Sequence, residues 1–231
     1  MINSASKFDY GTLIASSIHE VKNSLNMLLN SVDQVLTTTN QNDSNIKLFS
    51  QIQYEGKRVN DDLIGLLAIY RIENGQYYAN IDEYSVHEFL EENISQHKIM
   101  LRHKHIEETL ECDEELHWFF DCDLITGVIS NVVNNLFKYT KDKLHVCAFR
   151  EGDYLVIKVL DNGPGYPEEM LIFHDESDHQ KNINFENANT GLGLYFSRLV
   201  AELHKNKGRN GYITTTNEGI DGGGCFSLYL P

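Results

Sequence analysis

No CxxC pair occurs in this 231-residue chain, and its four cysteines, Cys112, Cys122, Cys147 and Cys225, are scattered. That argues against a zinc site or a disulfide framework and reads as reduced thiols in the cytoplasm. No run approaches the roughly 20 consecutive apolar residues that a membrane helix needs, so no membrane insertion is expected. The N-terminus shows no basic stretch followed by an apolar one, so no secretion signal is expected either. Basic residues are scarce: 19 Lys and Arg stand against 34 Asp and Glu, a formal net charge of -15. Such a surface repels nucleic acid and anionic lipid, and no basic stripe compensates. Any polyanion bound here must be held by a local device, through backbone amides or a metal.

What is present begins with Ser16-Ser17-Ile18-His19-Glu20-Val21-Lys22-Asn23-Ser24-Leu25. Apolar residues recur at Ile14, Ile18, Val21, Leu25, Leu28, Val32 and Val35, with gaps alternating four and three. That is the seam of a helix packing on other helices. His19 follows a seam residue directly, which puts it on the helix flank, and Asn23 stands one turn along the same face. By itself this describes an exposed histidine on a bundle helix as well as a reactive one.

The chain is long enough for one large domain or two small ones. The first helix is expected from about Lys7 to Leu36, with a polar loop from Thr37 to Ser44. A second helical pattern carries Leu48, Ile52, Val59, Leu63, Leu66 and Tyr70, weakened modestly by Gly56 and Gly65. A short connection makes the two antiparallel neighbours, and one hairpin buries little by itself. Two copies pairing into a four-helix bundle would bury the seam, so a homodimer is expected. Gly75 stops the second helix, and the spacing divides the chain into domains at 1–78 and 79–231.

Beyond that point Ser85-Val86-His87-Glu88 has the form of a capping box, opening a helix through about His97. A strand over His117–Asp121, an amphipathic helix over Asp123–Tyr139 and strands over Leu144–Phe149 and Tyr154–Leu160 follow. Glu151-Gly152-Asp153 is the turn between those two strands. A helix over Leu194–Leu203 and strands over Gly211–Thr216 and Cys225–Leu230 complete an α+β sandwich, helices layered on a largely antiparallel sheet.

Three clusters in the second domain can carry chemistry. Asn131 and Asn135 share one face late on a helix, with Lys138 a turn further. Amide oxygens ligate a hard cation such as Mg²⁺, and a lysine meets phosphate charge. Asp161-Asn162-Gly163-Pro164-Gly165 directly follows a strand. An acid there can accept from an exocyclic amine while the glycines let a flat base approach the backbone, although the same residues also make ordinary turns. Asn189-Thr190-Gly191-Leu192-Gly193-Leu194 opens a helix whose amides favour phosphate.

Together these stretches resemble sensor histidine kinases. His19-Glu20-x-x-Asn23 resembles their dimerisation and phosphoacceptor helix. The three later clusters resemble, in order, the asparagine box and the two glycine boxes of the GHKL-type ATP-binding domain, and Phe226-Ser227-Leu228-Tyr229-Leu230-Pro231 resembles its final strand. The resemblance spans about residues 10–231 and implies an N-terminal α-helical hairpin, a four-helix bundle as a dimer, followed by an α+β sandwich of the GHKL ATPase type. It implies that His19 takes the γ-phosphoryl of ATP, with Glu20 orienting the ring and stabilising the developing charge. It implies that Asn135 ligates Mg²⁺, with Asn131 and Lys138 near the phosphates. Asp161 would read adenine, supported by Gly163 and Gly165, while Thr190, Gly191, Gly193 and Leu194 flank the phosphates. Asn23 matches the position that orients a water for the reverse, phosphatase reaction. The implied partners are a second copy and a response-regulator receiver domain.

The chain departs from that pattern at Ser24, where proline is frequent, and at Leu136, where a small residue is frequent. The stretch Phe173-His174-Asp175-Glu176-Ser177-Asp178-His179 lacks the family's aromatic lid motif and reads as a polar loop. His103 and His105, flanked by basic residues, read as solvated surface. With no sensor ahead of helix one, the signal is expected through a separate input protein, or from a longer protein of which this is a piece. Two alternatives stay open. One is an ATP-independent histidine phosphotransferase of the same build, against which the retained Asp161, Gly163, Gly165, Gly191 and Gly193 count. The other is a pseudokinase or antikinase that blocks a true kinase, which leaves the His19-Glu20 pair unexplained.

Overall fold

The computed structural model describes residues 10–38, 46–173 and 191–231. Residues 39–45, within which most of the expected polar loop falls, the expected helix start at Lys7, and residues 174–190 lie outside the described residues. The chain divides into two compact units, one up to Tyr77 and one from Tyr78 onward.

The first unit is a hairpin of α1 (Tyr10–Thr38) and α2 (Ile46–Glu73). The two helices meet closely at Gly56, where an added Cβ would stand 2.6 Å from Cδ2 of Leu29. The glycine that weakens the sequence pattern is therefore a point of contact between helices. Gln53 donates to Asp33 across the pair at 3.0 Å. Only part of the α1 stripe turns inward: Ile18 is buried and Leu25 half-buried, while Val21 and Leu28 stay exposed. Ser24 continues the helix without a break, its Oγ donating to the Glu20 carbonyl at 3.1 Å. Gly75 ends α2 with φ +64°, and Gln76 N–H donates back to the Arg71 carbonyl at 2.8 Å.

The second unit contains β1 (Ile81–Ser85), α3 (Val86–His103), β2 (Glu107–Cys112), β3 (His117–Asp121), α4 (Cys122–Tyr139), β4 (Lys143–Glu151), β5 (Tyr154–Asp161), α5 (Gly191–Leu203), β6 (Lys205–Asn206), β7 (Arg209–Asn210), β8 (Tyr212–Thr216) and β9 (Cys225–Leu230). The main sheet has the order β2-β4-β5-β9-β8, with β2 parallel to β4 and the other pairs antiparallel. β1 pairs with β3 as a separate ribbon, and β6 with β7. Helices α3, α4 and α5 pack on one another and on the strands, and Leu90, Phe120, Ile125, Ile157, Val200 and Phe226 are fully buried between the layers.

Ser85 caps α3 by accepting from Glu88 N–H at 3.3 Å. The helix runs to His103, past the expected end near His97, because Leu101 continues the buried face of Leu90 and Ile94 beyond a polar turn. Asp121 caps α4 by accepting from Leu124 N–H at 3.0 Å. The expected strand starting at Gly211 begins one residue later, at Tyr212.

Candidate functional site

Asp161 is the last residue of β5 and is 4% exposed. Its backbone N–H donates to the Gly224 carbonyl at 3.0 Å, which locks it to the entry of β9. Its Oδ1 accepts from Gly163 N–H at 2.5 Å. Burial pushes the carboxyl above its usual range, and the amides of Gly163 and Gly224 pull the other way. Two glycines leave the room around it. A Cβ on Gly163 would stand 2.6 Å from the Tyr139 carbonyl and 2.7 Å from Asp161 Oδ1, and one on Gly224 would stand 2.7 Å from Oδ2. Gly163 thereby lies against the end of α4, the helix that carries the asparagines.

Asn131 and Asn135 are half-buried on α4. The first turn of α5 packs on them: a Cβ on Gly193 would meet Asn135 Nδ2 at 3.7 Å and Asn131 Cβ at 3.8 Å. No acidic side chain occupies that first turn, so no residue of the turn opposes an anion at the positive end of the α5 dipole. The fold thus brings three clusters that are distant in sequence into one chain of neighbours, from Asp161 through Gly163 to α4 and Gly193. Lys138 is exposed at the end of α4. Leu194 is buried in the core, and Thr190 lies outside the described residues.

On α1 the His19 side chain is exposed. Its Nδ1 lies 3.3 Å from the Asn23 carboxamide nitrogen. Glu20 is exposed too, and successive side chains on a helix diverge by about 100°. Among the described residues, Asn23 rather than Glu20 is the ring's partner.

Residues 121–231 match the family described as histidine kinase-, DNA gyrase B-, and HSP90-like ATPase. Sensor protein kinase PilS of Pseudomonas aeruginosa is 26% identical over 235 residues, covering 94% of this chain and 40% of the relative. The CAI-1 autoinducer sensor kinase/phosphatase CqsS of Vibrio cholerae is 30% identical over 207 residues, covering 82% of this chain and 29% of the relative. The solved structure of the histidine kinase AdeS of Acinetobacter baumannii has the same fold, with a TM-score of 0.60 at 18% identity over 92% of this chain and 96% of that one. The chain has the catalytic core of a sensor histidine kinase, and spans less than half the length of the two curated relatives.

In the ATPase domain the donor set suits a purine nucleotide. A buried carboxylate in a cradle that any Cβ would fill has the chemistry to accept from an exocyclic amine, and the carboxamide of Asn135, beside a helix N-terminus, is of a type that could hold Mg²⁺ through its oxygen. Several residues that build this arrangement carry no obvious signal in the sequence. Asn162 is buried, accepts from Asp142 N–H at 3.2 Å and Lys143 N–H at 3.0 Å, and donates to Asp142 Oδ1 at 2.7 Å. It ties the turn after β5 to the segment after α4. Asn217 holds both backbone groups of Tyr166, accepting from its N–H at 2.6 Å and donating to its carbonyl at 3.0 Å. Gly165, at φ +79°, leaves the space that Asn217 fills. Lys104 donates to the Phe137 carbonyl on the last turn of α4. His204 is buried near the end of α5, its Nδ1 bonded to the Val200 carbonyl at 2.7 Å and its Nε2 accepting from Asp121 N–H at 3.0 Å. Burial holds its pKa below the usual value. Asp121 in turn accepts from Asn80 N–H at 2.8 Å.

Proposed function

We propose that this chain is an ATP-dependent protein histidine kinase of a two-component system. It autophosphorylates His19 and passes the phosphoryl group to an aspartate on a response-regulator receiver domain. Asn23 equips it for the reverse, phosphatase reaction as well. The observation that supports the reading is Asp161: a buried carboxylate at a strand end, in a cradle bounded by Gly163 and Gly224, which is the chemistry that selecting an amino-bearing base would need. Asn135 would hold Mg²⁺, with Asn131, Lys138 and the amides of Gly191 and Gly193 beside the phosphates. The metal would neutralise phosphate charge, which this acidic chain has few cations to do. In the transfer, the imidazole lone pair forms a nitrogen–phosphorus bond while the bond from phosphorus to the ADP oxygen breaks, the electron pair leaving with ADP.

A homodimer is part of the proposal. Val21 and Leu28 on α1, with Ile52, Val59 and Leu66 on α2, are exposed at intervals of seven, the spacing of a coiled-coil seam. A second hairpin is the partner that this spacing fits. Free thiols at Cys112, Cys122, Cys147 and Cys225 are consistent with a reducing, cytoplasmic setting.

The deciding experiment incubates the protein with Mg²⁺ and γ-labelled ATP beside His19→Ala and Asp161→Asn. Label that is acid-labile, alkali-stable and lost in both variants supports the kinase. Nucleotide binding without label would favour an inhibitory pseudokinase, and neither would favour a phosphotransferase that borrows its phosphate.

A further inference from the structure

Helices α4 and α5 carry the asparagines and the glycines of the candidate site, and they meet at both ends and midway. At one end a Cβ on Gly193 would stand 3.7 Å from Asn135 Nδ2, and midway one on Gly127 would stand 3.1 Å from the Phe196 ring. At the other end is His204, 2% exposed, directly after the last residue of α5. Its two ring nitrogens have opposite partners. The Val200 carbonyl, 2.7 Å from Nδ1, can only accept, so Nδ1 carries the proton. The Asp121 N–H, 3.0 Å from Nε2, can only donate, so Nε2 keeps its lone pair. The site is built for the neutral ring in one tautomer, and a second proton would set Nε2–H against the Asp121 N–H. The charge that bears on the ring from another element is the Asp121 carboxylate. Both of its oxygens are already engaged, by Leu124 N–H at 3.0 Å and Asn80 N–H at 2.8 Å. Along the ring's own stretch of chain, Glu202 and Lys205 are exposed.

We propose that His204 is a positioning residue for the nucleotide site: its neutral ring pins the end of α5 to the N-cap of α4 and so keeps Gly193 against Asn131 and Asn135 at the spacing a nucleotide needs. This rests on the ATP-binding reading of that site. At 1.5 Å per residue the pin stands about 16 Å along α5 from Gly193, so it acts on the cleft through the helix pair. Protonation of Nε2 breaks the bond to Asp121 and loosens the pair. By linkage the converse holds: a nucleotide that tightens the pair makes the ring harder to protonate. Burial already holds the ring's pKa below the usual histidine value. The pin is therefore closed at neutral pH and opens on acidification below about pH 6.5.

The test titrates the full chain with and without Mg²⁺ and ADP. The ¹⁵N ring resonances of histidine-labelled wild type report His204, identified by its through-space contacts to Val200 and Asp121. Calorimetry measures ADP affinity in wild type and His204→Gln between about pH 7.5 and about pH 5.5. The glutamine amide oxygen can take the Asp121 N–H but does not titrate. The variant keeps Asp161, whose carboxyl burial raises, so that group and the ADP phosphates are a background common to both proteins. Wild type is expected to show a pyrrole-like Nδ1, a pyridine-like Nε2 and a titration midpoint that falls when ADP is added. Its ADP affinity should drop about fivefold further on acidification than that of His204→Gln, the worth of one ordinary hydrogen bond. A midpoint that ADP does not move overturns the proposal, and this reading needs no variant to fold. Equal acid profiles in the two proteins overturn it too, while leaving ADP binding intact. Absence of ADP binding in either protein at every pH instead sinks the ATP-binding reading, and the proposal falls with it.

Discussion

Phe120, Phe226, Leu155 and Ile157 in the ATPase domain are fully buried, whereas Val21, Leu28, Val59 and Leu66 in the hairpin are 52%, 50%, 43% and 39% exposed. Two helices present two stripes, and one contact line cannot cover both; a sheet with helices layered on it closes its own core. The ATPase domain also recruits polar groups over long sequence distances, as when His204 accepts from Asp121. The hairpin's polar contacts are mostly local, from Ser24 to Glu20 or Arg58 to Glu55. One unit closes its core with its own chain. The other leaves much of its apolar stripe exposed among the described residues, which is the basis for the proposed homodimer.

The largest test of that contrast is a pair of truncations. Phe120→Ala should cost the ATPase domain about 3–5 kcal/mol, while Val59→Ala in the hairpin should change chain stability by less than about 1 kcal/mol. Chemical denaturation of each variant checks both, and a large loss from Val59→Ala in a monomer would erase the distinction. Next, Leu28→Glu should weaken self-association by about tenfold or more, since burying a leucine is worth about 1.5–3 kcal/mol. Sedimentation measures it, with nucleotide affinity expected to stay unchanged.

A smaller effect separates the units by pH. The folded pKa of His204 lies below its ordinary value, so the unfolded chain takes up that proton first. Its contribution is complete above about pH 6.5 and is lost as pH falls below it. Thermal melts of His204→Leu should lose this acid-side decline relative to wild type. The same melts should show a lower plateau, because Asp121 N–H loses its acceptor, at about 1–3 kcal/mol.

Asp61 in the hairpin has the opposite sign. Burial raises its carboxyl from 3.8 to about 6, so stability falls as pH rises through that window. Asp61→Asn should therefore raise the melting temperature slightly above about pH 6 and leave it unchanged near pH 4. An equal shift at both values would show that charge is irrelevant there.

Period and punctuation made much of this architecture readable. The strands at His117–Asp121 and Cys225–Leu230 lie where alternation and turn residues place them; each of the three clusters of the candidate site is ambiguous alone, and it was their combination and order along the chain that carried the resemblance. Strands β1 and β2 escaped, because Ile81-Asp82-Glu83-Tyr84-Ser85 and Glu107-Glu108-Thr109-Leu110-Glu111-Cys112 have few apolar residues and draw their pairing from neighbours far along the chain. β6 and β7 escaped because a two-residue strand has no period; their turn depends on Lys207 at φ 48° and Gly208 at φ +80°. Asn162, Asn217 and His204 were illegible for one shared reason. Their partners stand 20, 51 and 83 residues away, and no local pattern announces a hydrogen bond across such a distance. The α1 stripe was legible as a stripe, but not which half faces α2.

The position of β9 has a bearing on synthesis. The strand made after all others in the ATPase domain is inserted between β5 and β8, and the Gly224 carbonyl just before it fixes Asp161. A ribosome that has already delivered the hairpin, α4 and the glycine turn still carries a domain split down its middle. Helices α1 and α2, with only local contacts to make, can form and find a second nascent hairpin in that interval. If the proposed pairing of hairpins takes place in that interval, it precedes completion of the sheet that fixes Asp161.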